Sequence, residues 1–205
     1  MCLPDVQVAD TCVGTRALGP QLRSAVWVQG CPFHCAGCLA PDWIPQRPGR
    51  PVHPADLATE LLVDPGVTGL TFSGGEPMAQ ATALAEVIRA ARRMRDVTLI
   101  CFTGYRLAEL GRRPPDPGVG DLLAQTDVLI DGRYVAARND GRGLRGSENQ
   151  QVHMLTGRLA GAYQELTSGP RRTEFRLRGR SAMLVGVPDR AASGVFAGLR
   201  PGDQR

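Results

Sequence analysis

The sequence predicts an α/β fold, a partial (β/α) barrel left open on one side. Three observations point there. Short apolar runs rich in β-branched residues recur at 24–30, 66–75, 97–104 and 127–132, and segments with helical spacing separate them. Strands alternating with helices favour a parallel sheet with right-handed crossovers. The 205 residues sit at the short end of the roughly 200 to 250 that a full eight-unit barrel takes.

The elements follow in order. "SAVWVQG" (24–30) reads as a buried strand that runs into a cysteine-bearing loop. A proline-rich stretch from 41 to 54 precedes "PADLATELLVD", a helix with Pro54 in its first turn. "GVTGLTFSGG" is a second strand ending in glycines. "AQATALAEVIRAARRM" (79–94) places Leu84, Val87, Ile88 and Ala91 on one helical face. "VTLICFTG" (97–104) is a strand, "RLAELG" a short helix ending at Gly111, "VGDLLAQ" a helical turn or two, and "DVLIDG" a strand. A polar, glycine-rich loop covers 132–150. "EFRLRG" and "AMLVGV" read as strands within 173–188, and the tail 189–205 is expected to be flexible. The chain is expected to form one domain, with a core over about 5–160.

Composition narrows the chemistry. Hydrophobic residues make up 42% and charged residues 21%, the balance of a globular protein with a real core. No apolar run reaches the roughly 18 residues of a membrane span, and the N-terminal segment lacks the basic and apolar regions of a signal peptide. A cytoplasmic location without membrane contact is the expectation, and there clustered thiols bind metal more often than they pair. All 24 basic residues are arginine, so neither a lysine Schiff base nor a P-loop lysine is available. The arginine clusters at 92–95 and 171–180 read as solvated surface, and no nucleic-acid partner is expected.

"CPFHCAGC" holds Cys31, Cys35 and Cys38, three of six cysteines within eight positions. A structural zinc site needs four ligands. His34 would complete one, but it abuts Cys35. Cys2, Cys12 and Cys101 have no paired spacing and read as buried structural thiols. A 4Fe–4S cluster with one open iron suits three thiolates better. "TFSGGEP" (71–77) follows the second strand; its glycines would let the backbone approach a ligand, and Glu76 could accept from an ammonium. The bland reading is a turn with Pro77 at a helix start. Thr103 and Tyr105 follow the third strand, so three unusual loops share one sheet edge.

These motifs resemble the radical S-adenosylmethionine superfamily. The resemblance implies that Cys31, Cys35 and Cys38 hold one 4Fe–4S cluster and that S-adenosylmethionine binds its unique iron. Reductive cleavage would then yield methionine and a hydrogen-abstracting 5′-deoxyadenosyl radical. It further implies that Gly37, Leu39, Ser73, Gly74, Gly75, Glu76, Pro77, Thr103 and Tyr105 line the S-adenosylmethionine site. Gly37 stands where many members have an aromatic residue. "VWVQGCPFHCAGC", "SGGEPMAQ", "FTGYRLAEL", "DVLIDGRYV" and "LRGSENQQVHMLT" occur in that order. Together they resemble the activating proteins of anaerobic (class III) ribonucleotide reductase and related glycyl radical enzyme activases. "ALGPQLRS" stands where relatives often read "GPG.R".

The resemblance implies a glycyl radical enzyme as protein substrate and an electron donor such as flavodoxin or ferredoxin. Arg145, Asn149, Gln150 and His153 are candidate substrate contacts, and Arg171, Arg172 and Arg176 a candidate docking face. The alternative is a small radical enzyme acting on a metabolite or peptide, of the 7-carboxy-7-deazaguanine synthase type. A non-catalytic zinc or Fe–S binding protein is the remote one.

Overall fold

The computed structural model describes residues 3–179 and 181–189. The tail expected from 189 onward lies outside them apart from Asp189 itself, and so does Cys2. Seven strands form one sheet: β1 (Val6–Thr15), β2 (Arg23–Val28), β3 (Arg50–Val52), β4 (Gly69–Gly74), β5 (Thr98–Thr103), β6 (Val128–Asp131) and β7 (Gln151–Met154). Their order is β3-β1-β2-β4-β5-β6-β7. The centre, β2-β4-β5-β6, is parallel. The flanking pairs β1–β2, β1–β3 and β6–β7 are antiparallel. The molecule is thus mixed α/β, and among the described residues the sheet does not close into a barrel. A separate antiparallel hairpin joins β8 (Thr173–Arg178) to β9 (Ser181–Gly186).

Helices α1 (Pro54–Leu61), α2 (Ala81–Met94), α3 (Leu107–Arg112) and α4 (Val119–Gln125) follow the strands as crossovers. The prolines act where their fixed φ suits a helix start. Pro54 opens α1 behind His53, whose Nδ1 caps the Ala55 N–H at 3.4 Å. Pro77 opens a 3₁₀ turn that leads into α2.

Strand alternation sorts the core into two layers. Val26, Val28, Leu70, Phe72, Leu99 and Leu129 face Leu57, Leu61, Leu84, Ile88 and Leu122 of the helices. Ala25, Trp27, Ile100, Val128 and Ile130 face the other way, toward Leu144, Leu159, Leu166 of α5 (Tyr163–Ser168) and Val185 of β9. Helices cover one face. Loops, short helical turns including α5, and the terminal hairpin cover the other, so its helical signal is too short for sequence to reveal.

Among the described residues no helix is long and apolar enough to cross a membrane. Of the three arginines expected in a docking face, Arg171 has its side chain buried within the chain, while Arg176 is half-exposed. Arg171 reaches inward to Asn139 Oδ1 at 2.6 Å and to the Arg145 and Pro188 carbonyls at 2.6 and 3.0 Å. Arg176 binds the Gly14 carbonyl and Glu174. Arg172 alone of the three is exposed.

Candidate cluster and S-adenosylmethionine site

The C-terminal ends of β2, β4, β5 and β6 lie side by side, as parallel order requires, and the loop leaving each is tied to the next. The cysteine loop leaves β2. Gly30 and Cys31 donate their N–H groups to the Trp43 and Ile44 carbonyls at 2.9 and 3.0 Å, which folds the proline-rich stretch back beneath it. The Trp27 and Trp43 rings meet at a 39° tilt, 5.3 Å apart, at the same fold-back. Cys38 N–H donates to the Cys35 carbonyl at 3.1 Å, a tight turn that places these two thiols on one short bend.

The loop after β4 sits directly on this one. Gly75 N–H donates to Val28 O at 2.7 Å and Glu76 N–H to Gly30 O at 2.9 Å. A side chain on Gly74 would run into the backbone of Trp27 and Val28, and one on Gly75 into the Gly30 carbonyl. Gly74 also has φ of +107°. Backbone packing against the cysteine strand is thus enough to require both glycines, whatever ligand lies above.

Glu76 is buried and joins the loop after β5. Its Oε1 accepts from Thr103 Oγ1 at 2.7 Å and from Met78 N–H at 2.9 Å, and its Oε2 from Gly104 N–H at 2.7 Å. Burial pushes its pKa up to about 7, against the pull of those donors. Three acceptor positions are filled, so a carboxylate with about four keeps about one for a ligand. The loop after β6 closes the ring: Gly132 N–H reaches the Thr103 and Tyr105 carbonyls, both at 3.0 Å. Arg133 then lies 4.5 Å over the Phe33 ring of the cysteine loop. Phe33 meets Tyr105 edge-on at 4.7 Å and covers Gly104.

None of the described cysteines is in a disulfide. Cys31 is buried, while Cys35 and Cys38 are half-buried. Burial raises the Cys31 thiol to about 11, although the Phe33 N–H directed at its sulfur works the other way. Ala40 N–H donates to Cys38 Sγ at 3.4 Å. Backbone N–H groups aimed at sulfur stabilise the thiolate ligands of a cluster, and those at Cys31 and Cys38 suit a multi-iron 4Fe–4S group rather than a single ion. Among the described residues no group of three or more His, Cys, Asp or Glu is arranged to hold a metal ion.

The other expected positions fall as follows. Leu39 packs on the second core layer, and Gly37 faces Ala136 of the loop after β6. Ser73 and Pro77 frame the glycine loop. Gln150 is buried with its amide bound within the chain, and Asn149 Nδ2 donates to Arg133 O at 2.9 Å. Arg145 pairs with Asp140 at 2.7 Å. His153 Nε2 lies 3.0 Å from Asp131 Oδ2 but off the line of a hydrogen bond. Sequence reasoning missed Phe33 and Arg133 as partners, and missed Asp131, which accepts from Leu107 N–H at 2.7 Å. The available signal was the strand ending in "DGR".

A family model described as a 4Fe-4S single cluster domain matches residues 17–153, which include all four loops. The anaerobic ribonucleoside-triphosphate reductase-activating protein of Vibrio cholerae is 32% identical over 148 residues, 67% of this chain and 91% of that protein. The chain belongs to the radical S-adenosylmethionine activases. The Escherichia coli K12 protein of the same description is also 32% identical over the same shares. A pyruvate formate-lyase-activating enzyme of Clostridium pasteurianum is 29% identical over 123 residues, 57% of this chain and 48% of that enzyme. Membership brings one 4Fe–4S cluster and S-adenosylmethionine as cofactors, and it removes the zinc module as a reading.

Proposed function

We propose that the chain is an activase that installs a glycyl radical on a partner enzyme, of the anaerobic ribonucleotide reductase type, with Cys31, Cys35 and Cys38 as the cluster ligands. The observation that carries the ligand assignment is the three-thiol loop seated at the carboxyl end of the parallel strands, with the glycine, Thr103–Tyr105 and Arg133 loops locked around it. Bound together, the cluster and S-adenosylmethionine supply one-electron cleavage of a sulfonium and abstraction of a glycine Cα hydrogen.

The chain's own residues position and shield. Ser73, Gly74, Gly75 and Pro77 present backbone toward the amino-acid end of S-adenosylmethionine. Glu76 offers its remaining acceptor to the ammonium. Gly37, Leu39, Thr103 and Tyr105 line the adenosyl end, and Tyr105 with Phe33 keeps water out. The sheet is read as a partial (β/α) barrel of the radical S-adenosylmethionine type in a single domain, its unclosed side admitting the partner's glycine loop. A flavodoxin or ferredoxin in the cytoplasm supplies the electron.

The test is anaerobic incubation of the reconstituted protein with dithionite, S-adenosylmethionine and a glycyl radical enzyme from the same genome. Release of 5′-deoxyadenosine and a glycyl doublet in the electron paramagnetic resonance spectrum of the partner are expected. Cleavage without any partner radical would move the reading to a metabolite or peptide substrate. No cleavage at all would end it.

A further inference from the structure

Within "RGSENQ" (145–150), Arg145 pairs with Asp140 and its carbonyl accepts from Arg171, whereas residues 147–150 turn to the loop after β6. Gln150 is buried. Its Oε1 accepts from Gly146 and Ser147 N–H at 2.7 and 3.1 Å, and its Nε2 donates to Gly132 O at 2.7 Å. Asn149 Nδ2 takes the next carbonyl, Arg133 O. Ser147 Oγ accepts from Val135 N–H at 3.1 Å, and Glu148 N–H donates to Arg138 O at 2.8 Å. The Glu148 carboxylate also pairs with Arg138 Nε at 2.9 Å. The Tyr134 ring packs against Gly146.

The opposite side of that loop faces the thiols. Arg133 lies over Phe33, between Cys31 and Cys35 in sequence. Ala136 lies so close to Gly37 that a methyl there would stand 3.0 Å from its Cβ. Arg133, Val135, Ala137 and Arg138 are exposed, so the loop has little apolar burial of its own to order it, and ordering backbone without burial is entropically costly.

We propose that residues 147–150 are a positioning clamp, with Gln150 its principal member: they fix the height of the 132–138 loop against the cysteine loop and thereby set the affinity for S-adenosylmethionine. Gln150 is a positioning residue, since both ends of its amide are committed within the chain. This gives Asn149 and Gln150 a role other than the substrate contact expected from sequence. It rests on the activase reading for the ligand and on geometry alone for the clamp.

The test uses anaerobically reconstituted protein carrying Gln150→Ala, Gln150→Glu or Ser147→Ala. Iron content is measured first. S-adenosylmethionine is then titrated against the spectrum of the dithionite-reduced cluster, and amide exchange is followed across 132–138. Gln150→Ala should keep its iron, exchange faster at 132–138, and need roughly tenfold more S-adenosylmethionine, the effect of losing one or two hydrogen bonds. Gln150→Glu, which sets a buried carboxylate oxygen against the Gly132 carbonyl, should weaken S-adenosylmethionine binding at least as much as Gln150→Ala.

A Gln150→Ala protein with an unchanged titration, or with faster exchange confined to 145–150, overturns the clamp. If that variant holds no iron, the same two measurements on Ser147→Ala decide, with the exchange gain centred on Val135. A parent protein that ignores S-adenosylmethionine sinks the activase reading instead, and the exchange data still judge the clamp.

Discussion

At the N-terminal ends of the parallel strands a fully buried cation, Arg23, lies in the field of the buried Asp127; at their C-terminal ends Glu76 and Asp131 are buried acids, and Glu76 is the one between the cysteine loop and the loop after β5. Arg23 donates to Leu70 O at 2.5 Å, Thr71 Oγ1 at 2.9 Å, Thr98 Oγ1 at 3.0 Å and the Pro20 carbonyl at 3.4 Å, so one guanidinium binds β2, β4, β5 and the turn before β2 together. Burial lowers its pKa to about 9, and the field of Asp127 opposes that fall. Glu76 inverts every sign: it accepts from N–H and O–H groups, and burial raises its pKa.

The two ends differ in what is left over. Around Arg23 the donors meet carbonyls and threonine hydroxyls on every side, and the group is sealed. Around Glu76 one acceptor position stays open, and two half-exposed thiols stand nearby in the same ring of loops. A sealed clamp holds a fold together; the same device with a position in reserve can meet a ligand.

Removing a thiol from the open end should have the largest effect. Cys35→Ala is expected to lose the cluster and S-adenosylmethionine cleavage together, read as iron content and 5′-deoxyadenosine. Cys101→Ala, at a fully buried thiol of β5 that burial holds well above its ordinary pKa, should keep both. Loss of the cluster from Cys101→Ala would blur the distinction between ligand thiols and core thiols.

Breaking the sealed end comes next. Arg23→Ala leaves buried carbonyls unpartnered and opens a cavity, at about 3–5 kcal/mol, measured as a shift in denaturant midpoint. A shift under about 1 kcal/mol would mean that the threonines and water replace the guanidinium.

The open end also carries a pH signature. Glu76 holds its proton to about pH 7 in the fold but only to about 4.3 in an unfolded chain. Between those values the folded state binds more protons, so stability falls as pH rises through the window and levels off above it. Glu76→Gln should lose that slope while starting less stable, because its amide sets an N–H against a backbone donor. Unfolding of the cluster-free chain from pH 4.5 to 8 reads it. A parallel slope in the variant would assign the dependence to another group.

The parallel strands and the helices α1 and α2 were legible because their signals are local: β-branched runs, helical spacing, and prolines at helix starts. The cysteine loop and "GGEP" were legible for the same reason. The edge strands β1, β3 and β7 were not. β1, "VQVADTCVGT", breaks its alternation with Asp10 and Thr11 at a bulge against β2, and β3 and β7 are three and four residues long, ordered only by pairing. Arg23 read as one arginine among 24, because its partners sit 3 to 75 positions away. Gln150 was visible as a motif but not as a clamp, since its partner Gly132 lies 18 residues back across a segment without periodicity.

Gly75 lies against Gly30 with no side chain between them. The spacing of the thiol loop from the loop that bears the acid is therefore the thickness of two bare peptide planes. No rotamer can tune it and no larger residue can wedge it. The two loops shift together or not at all, so any adjustment of one toward a new ligand has to be made by sliding the strands beneath both.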